Sequence, residues 1–319
     1  MIKIALIGAG RMGNSHADAL SKMPDCKLAG VYDPAPEAAK KFAGKHPGCK
    51  IYASEAGLAE DPGLDAVLVC NYSDQHHKTL CALLAAGKKK IFCEKALVRT
   101  LDECADILAR AGKAGAQIYV GHHKRCAPAY QIMREKIISG ELGAIRMAKL
   151  AFCHPGYARE RGSFFADFER SGGVILDMMS HYYDLLSWFF GEPESVSARS
   201  LMFDKSMPLP ADYVSGTLTY KNGVICNIDC SWQRHGLAYD RLEVYGDSAC
   251  VIFDGKLWVC RKNEKTEISA GESAPVMSAF VKMVIDGVPP LVSLQDGASS
   301  VTVALKTIEA AKSKKTVFF

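Results

Sequence analysis

Ile2-Lys3-Ile4-Ala5-Leu6-Ile7 runs directly into Gly8-Ala9-Gly10-Arg11-Met12-Gly13, and an acidic residue, Asp33, follows Gly13 by twenty positions. A lone G-x-G-x-x-G hexapeptide is a weak signal. Here an apolar, strand-like run precedes it, an amphipathic stretch over 11–23 follows it, and Asp33 ends a second strand-like run over 27–32. Those are the context conditions the pattern needs. The chemistry then follows from backbone geometry. Gly8 allows a tight turn, Gly10 lets the chain approach a pyrophosphate, and Gly13 permits close packing of helix on strand. The helix opening at Arg11 and Met12 offers free N–H donors and a partial positive charge to phosphate. A carboxylate at Asp33 accepts hydrogen bonds from both ribose hydroxyls and repels a 2′-phosphate, while Pro34 and Ala35 supply no arginine to hold one. The turn therefore predicts NAD in preference to NADP.

The same alternation continues through the first 120 residues. Strand-like runs at 65–70, 89–93 and 117–121, with a weaker one at 50–52, are separated by helical patterns at 36–46, 74–86 and 100–114. Crossovers of that length join parallel strands, so the pattern predicts a Rossmann-type doubly wound α/β sheet covered by helices on both faces. After Gly121 the rhythm changes. Helical stretches at 128–139 and 173–190 flank a strand-like 145–153, and strands dominate at 195–202, 213–220, 224–232, 240–246 and 249–253, with a hairpin signal at Asn222-Gly223. A helix is expected at 297–313. A chain of 319 residues is about two domains long. The expected division is a dinucleotide-binding domain over 1–122 and an α+β domain over 123–319, with a large, mostly antiparallel, open-faced sheet.

Composition narrows the partners. A net charge of +4 and a pI near 8.4 fall short of the clustered basicity of a nucleic-acid binder. The one basic run, Lys88-Lys89-Lys90, reads as a solvated surface turn. No apolar run reaches the ~20 residues that span a bilayer, and the chain enters a strand at once, so neither a membrane nor secretion is expected. The twelve cysteines contain no Cys-x-x-Cys pair. They predict small buried hydrophobes in a reducing cytoplasm, with no metal and no disulfide framework.

Three further features carry chemistry. Glu94-Lys95 lies where the fifth strand ends, and parallel sheets bind ligands outside such ends, although position alone also fits an exposed ion pair. In 171–190 nearly every helical face is apolar, yet Asp177 and His181 stand at i and i+4, with Asp184 a turn beyond. A nearby carboxylate raises a histidine pKa and burial lowers it, so the pair fits a general acid/base as well as a structural Asp–His contact. Trp232, at the end of an alternating strand, fits either the core or a stacking platform for a sugar ring. Tyr157, Arg159, Arg161, Arg234 and His235 occupy segments that border such a site.

Taken together, these motifs resemble the Gfo/Idh/MocA family of NAD(P)-dependent oxidoreductases. The resemblance rests on the glycine turn, Asp33, Glu94-Lys95, the Gly121-to-Tyr130 segment with Arg125 and Pro128, and Gly172-Gly173-Val174-Ile175-Leu176-Asp177 with His181, in that order. It implies an oxidoreductase acting on a secondary alcohol of a sugar or polyol, with Lys95, Asp177 and His181 as the catalytic group. It also implies cofactor contacts from Asn71, Ser73 and His76, joined by Glu94 and Lys95, substrate contacts from Lys124 or Arg125, and a homodimer or homotetramer. Two rivals share the scaffold: an enzyme that cleaves glycosides through transient sugar oxidation, and a non-catalytic dinucleotide-binding regulator. The chain departs from the family pattern at Ala96, where proline usually follows Glu-Lys, and at Asn71-Tyr72, where Thr-Pro is usual.

Overall fold

The computed structural model of the chain describes residues 1–154, 162–203, 205, 209–232, 238–272 and 274–319. It divides into two compact units, Met1–His123 with Ala274–Val301, and Lys124–Ser273 with Thr302–Phe319.

The first unit is built on six parallel strands, β1 (Ile2–Ile7), β2 (Cys26–Tyr32), β3 (Lys50–Ile51), β4 (Ala66–Val69), β5 (Lys90–Cys93) and β6 (Gln117–Val120). Their order is β3-β2-β1-β4-β5-β6, so chain direction across the sheet reverses between β1 and β4. That reversal leaves a crevice at the carboxyl ends of these two strands. The crossovers are α1 (Arg11–Leu20), α2 (Pro36–Lys45), α3 (Glu55–Ala59), α4 (Ser73–Ala85) and α5 (Leu101–Ala114). Strands β1 and β4 are buried almost throughout, as apolar runs covered on both faces must be. At the start of α5 the Thr100 and Glu103 side chains cap each other's backbone N–H groups, the reciprocal arrangement their spacing predicts.

Sequence reading keeps 123–319 together, whereas residues 274–301 pack with the first unit. Helix α6 (Pro128–Ile138) belongs to the second unit, and the later helix α9 (Val276–Asp286) returns to the first. The physical reason is aromatic: Phe280 lies edge-on to Phe92, with centroids 5.6 Å apart, and to Tyr119 at 6.3 Å. The backbone adds a bond from Val120 N to Val292 O of 3.1 Å.

The second unit carries a nine-stranded sheet. In chain order its strands are β7 (Ile145–Cys153), β8 (Pro193–Leu201), β9 (Tyr213–Tyr220), β10 (Ile225–Ser231), β11 (Tyr239–Gly246), β12 (Cys250–Phe253), β13 (Leu257–Arg261), β14 (Glu264–Ile268) and β15 (Val317–Phe318). The spatial order is β14-β13-β12-β11-β7-β10-β9-β8-β15, antiparallel except for β7 beside β10. Strands β13, β14 and β15 are additions to the sequence reading. Strand β14 is exposed at four of its five residues, so its sequence has no apolar alternation to reveal it. In β10 the alternation holds: Cys226, Ile228 and Cys230 are buried, while Asn227 and Asp229 pair on the other face with Thr217 (3.0 Å) and Tyr213 (2.6 Å).

Two expectations are corrected. The helix expected over 173–190 is interrupted. A short α7 (Phe168–Ser171) ends at Gly172, a π-turn spans Val174–Met178, and α8 (Ser180–Phe190) follows. Gly172 and Gly173, at φ 76° and 62°, end one helix and restart the next, a break that hydrophobic periodicity does not register. Lys88 is not solvated. It is buried, its ammonium donates to the Asp61 carbonyl, and burial pushes its pKa down. All twelve cysteines are free thiols. Among the described residues no helix is long and apolar enough to cross a membrane.

The aromatic contacts of Phe280 hold α9 against the first sheet, so Phe280→Ala should lower unfolding free energy by about 3–5 kcal/mol. Ile285→Ala, at a side chain 48% exposed in the same helix, should change it by less than about 0.5 kcal/mol. Urea titrations of both variants check the difference.

Candidate active site

Within the first unit the glycine turn is shaped by contacts that exclude side chains. A β-carbon at Gly8 would stand 2.5 Å from the Asn71 nitrogen, and Gly8 itself sits at φ 99°. One at Gly13 would stand 2.1 Å from the Gly8 carbonyl oxygen. One at Gly10 would meet nothing within 4 Å, so the middle glycine faces open space. Helix α1 begins there without a side-chain cap and without an acidic residue in its first turn, leaving its N–H groups to a ligand. Asn14 locks the turn by donating to the carbonyls of Ala9 (2.7 Å) and Gly10 (2.8 Å).

Asp33 is built into the same turn. One carboxylate oxygen accepts the Ala9 N–H at 2.7 Å and the other accepts the Ala35 N–H at 2.8 Å. A carboxylate has about four lone-pair sites, so acceptor capacity remains for ribose hydroxyls. In the loop after β4, Asn71 Oδ1 and Ser73 Oγ are buried without a hydrogen-bond partner. These features fit a dinucleotide: an open phosphate cradle at α1, a fixed ribose acceptor, and two buried oxygens that lack partners at the neighbouring strand end. A groove of about 930 Å³ also touches Gly10 and Arg11. It continues along Asp18 of α1, Lys22 just beyond that helix and Lys45 of α2, toward the amino ends of the strands and away from the crevice.

Two residues expected at the cofactor also tie the frame of the first unit together. His76 is fully buried, with Nδ1 2.9 Å from the Ala96 carbonyl and Nε2 3.1 Å from the Asn71 carbonyl. It ties the loop after β4 to the loop after β5, and burial lowers its pKa. Glu94 is buried as well, 2.6 Å from His16 Nε2 of α1, and its other oxygen accepts the Lys95 N–H at 3.1 Å. Burial alone would raise the Glu94 pKa, but the His16 contact and the adjacent Lys95 outweigh it and hold it below its ordinary value. Lys95 is half-buried, and the Lys95–Ala96 peptide is cis although no proline follows. Neither Asn14 nor His16 belongs to the G-x-G-x-x-G pattern. The signal for His16 was present: a buried glutamate at a strand end requires a partner, and His16 lies one turn beyond Gly13.

In the second unit Asp177 is buried in the π-turn and His181 is half-buried in the first turn of α8. Regular α-helical spacing therefore applies to His181 and Asp184 but not to Asp177. Arg125 does not present its guanidinium to a substrate. It is 3% exposed and holds Asp184 through two bonds, Nε–Oδ2 at 2.8 Å and Nη2–Oδ1 at 2.6 Å. Lys124 is engaged too, with its ammonium 2.7 Å from Asp240 and 4.3 Å from the centroid of the Tyr182 ring. Asp240 also accepts from the Tyr130 hydroxyl at 3.1 Å, and burial followed by Asp240 pushes the Tyr130 pKa up. Trp232 is fully buried, edge-on to Phe165, so it is core and has no face open to a sugar ring. Tyr157, Arg159, Arg161, Arg234 and His235 lie outside the described residues.

Comparison with known proteins decides the family. Residues 2–122 match the model of an oxidoreductase family with an NAD-binding Rossmann fold, and residues 130–252 match the GFO/IDH/MocA C-terminal domain. The chain belongs to the Gfo/Idh/MocA family. It is 30% identical over 264 residues to an inositol 2-dehydrogenase of Rhizobium meliloti (strain 1021), covering 80% of this chain and 76% of that protein. It is 26% identical to a myo-inositol 2-dehydrogenase of Thermotoga maritima, covering 99% and 98%. A levoglucosan dehydrogenase solved with NADH and levoglucosan superposes with a TM-score of 0.90 at 20% identity, over 99% of this chain and 99% of that one, and so shares the fold.

Glu94 supplies a pH test with a definite sign. Its folded pKa lies below the ordinary 4.5, so its contribution to stability is complete above that value and is lost as pH falls through the folded value. Glu94→Gln should be less stable than wild type at pH 7, and the gap should narrow as pH drops below 4.5. Urea midpoints across pH check this; a constant gap contradicts it.

Proposed function

We propose that this protein is an NAD-dependent dehydrogenase acting on a secondary alcohol of a sugar or polyol. The observation that carries the reading is Asp33, whose carboxylate is fixed on the glycine turn where it accepts ribose hydroxyls and repels a 2′-phosphate. Family membership and relatives described as inositol dehydrogenases support the substrate class. Bound at the turn, NAD supplies the acceptor for the hydride that leaves the alcohol carbon.

The remaining chemistry belongs to the chain. His181 takes the hydroxyl proton as general base, and its partial exposure leaves it open to exchange that proton with solvent. Lys95 donates a hydrogen bond to the reacting oxygen and stabilises its developing negative charge. The Glu94 contact with the Lys95 N–H fixes the backbone from which that side chain extends. Asp177 orients the imidazole or binds a neighbouring hydroxyl. These roles rest on the motif order shared with the family.

Cytoplasmic location and a homodimer or homotetramer complete the proposal. Twelve free thiols suit a reducing compartment, and β10 leaves Asn227 and Asp229 on a face that another copy can cover.

Steady-state formation of NADH from a panel of inositols and sugars tests the assignment. His181→Ala should lower kcat by roughly 10²–10⁴ without changing NAD affinity, and Lys95→Met should lower it by roughly 10²–10³. Full turnover in both variants on an identified substrate contradicts the roles.

A further inference from the structure

We propose that His77, Cys81 and Asp106 form a binding site for one divalent metal ion of the zinc class, on the outer surface of the first unit. His77 and Cys81 are one turn apart on α4, so both project from the same helical face, and Asp106 reaches them from α5. All three are half-buried, and their ligand atoms lie within 4.8 Å of one another. His77 Nε2 is 2.8 Å from Asp106 Oδ2, and Cys81 Sγ is 3.6 Å from each of those two atoms.

Those distances distinguish a metal site from a nucleophile relay. A Cys-His-Asp relay places the thiol and the carboxylate on opposite nitrogens of the ring. Here both converge on the same nitrogen. Zinc bonds of about 2.3 Å to sulfur and 2.0–2.1 Å to nitrogen, at a tetrahedral angle, put sulfur and nitrogen about 3.5–3.6 Å apart. The observed Cys81–His77 edge already has that length. The His77–Asp106 edge, now a hydrogen bond, must open by about half an ångström, because nitrogen and oxygen ligands on zinc stand about 3.3–3.4 Å apart. Thiolate, imidazole and carboxylate together suit zinc better than magnesium or calcium, and three protein ligands leave one position for water.

Charge states agree with this reading. Hydrogen bonds from Arg110 and His77 hold Asp106 down at about 2, so its carboxylate is ionised at working pH. Burial raises the Cys81 pKa against the nearby Arg110 charge, which lowers it, so the metal-free thiol keeps its proton. Binding therefore releases the thiol proton to solvent as the sulfur–metal bond forms, and the proton on His77 Nε2 that now faces Asp106 leaves that nitrogen through solvent, so that its lone pair takes the metal. Arg110 opposes the metal, since its Nε lies 2.8 and 2.7 Å from the two Asp106 oxygens and must swing away. The cysteine spacing along the chain contains no zinc motif, and the cluster arises only where α4 packs against α5. Metal bound there staples the two helices and stabilises the folded state by mass action.

Full-length protein, purified without a metal-affinity tag and dialysed against chelator, is titrated with Co²⁺ and followed by absorbance. The expected result is one equivalent bound, with visible bands of tetrahedral intensity and a near-ultraviolet thiolate charge-transfer band. Zn²⁺ should then displace the cobalt. Cys81→Ala should abolish the charge-transfer band and weaken binding by more than about tenfold, the range reached when even an outer-shell partner of a metal is lost. Arg110→Ala should tighten binding by releasing Asp106. Three results overturn the site: no thiolate band in the wild-type protein, a band that survives Cys81→Ala, or an affinity indifferent to Arg110→Ala.

Discussion

The first unit depends on a contact that leaves no room for a side chain. A β-carbon at Gly13 would sit 2.1 Å from the Gly8 carbonyl oxygen, far inside van der Waals distance, so α1 can start where it does only on a glycine. With α1 fixed there, the turn closes through Asn14, and Asp33 grips Ala9 from the end of β2. The same helix places His16 against Glu94, and Glu94 in turn holds the Lys95 N–H. Beyond Lys95, the Ala96 carbonyl meets His76, which also faces the Asn71 carbonyl. Phosphate cradle, ribose acceptor and the Glu-Lys strand end thus form one hydrogen-bonded frame, and Glu94 is its central joint.

The second unit solves a different problem, that of charged groups in an apolar helix. Asp184 is 1% exposed in α8, and a lone carboxylate there would cost several kcal/mol in desolvation. Arg125 meets it with a two-bond fork and has Trp188 5.3 Å away on its face. Removing either partner leaves the other charge buried, so the pair acts as a unit and Arg125 is unavailable for recognition. Lys124, one residue earlier, is committed to Asp240 in a similar way. Both of these basic residues thus brace the fold around the segment that carries His181.

What the sequence disclosed follows from which interactions are local. The strands, their crossover helices and the glycine turn show in short-range patterns, and Ser54, Thr100 and Asp167 each cap a helix from within four residues. Pairings distant in sequence left no such trace. His16 and Glu94 are 78 residues apart, Arg125 and Asp184 are 59 apart, and neither pair follows from spacing. Trp232 was ambiguous in the sequence because an aromatic residue at a strand end serves core and platform equally; only its burial decides for the core. The π-turn at Val174–Met178 escaped because apolar residues on all sides make every helical register look equally good.

If the protein oxidises a polyol with NAD, a carbon-bound hydrogen of the substrate ends up on the nicotinamide, and isotope transfer follows that hydrogen. Wild-type enzyme is mixed with NAD and an inositol or sugar carrying deuterium on its ring carbons, and the nicotinamide is recovered for mass spectrometry. NADH recovered from solution should bear one substrate deuterium. Deuterium that never reaches the nicotinamide, or a sugar converted with no NADH released, would contradict the dehydrogenase assignment.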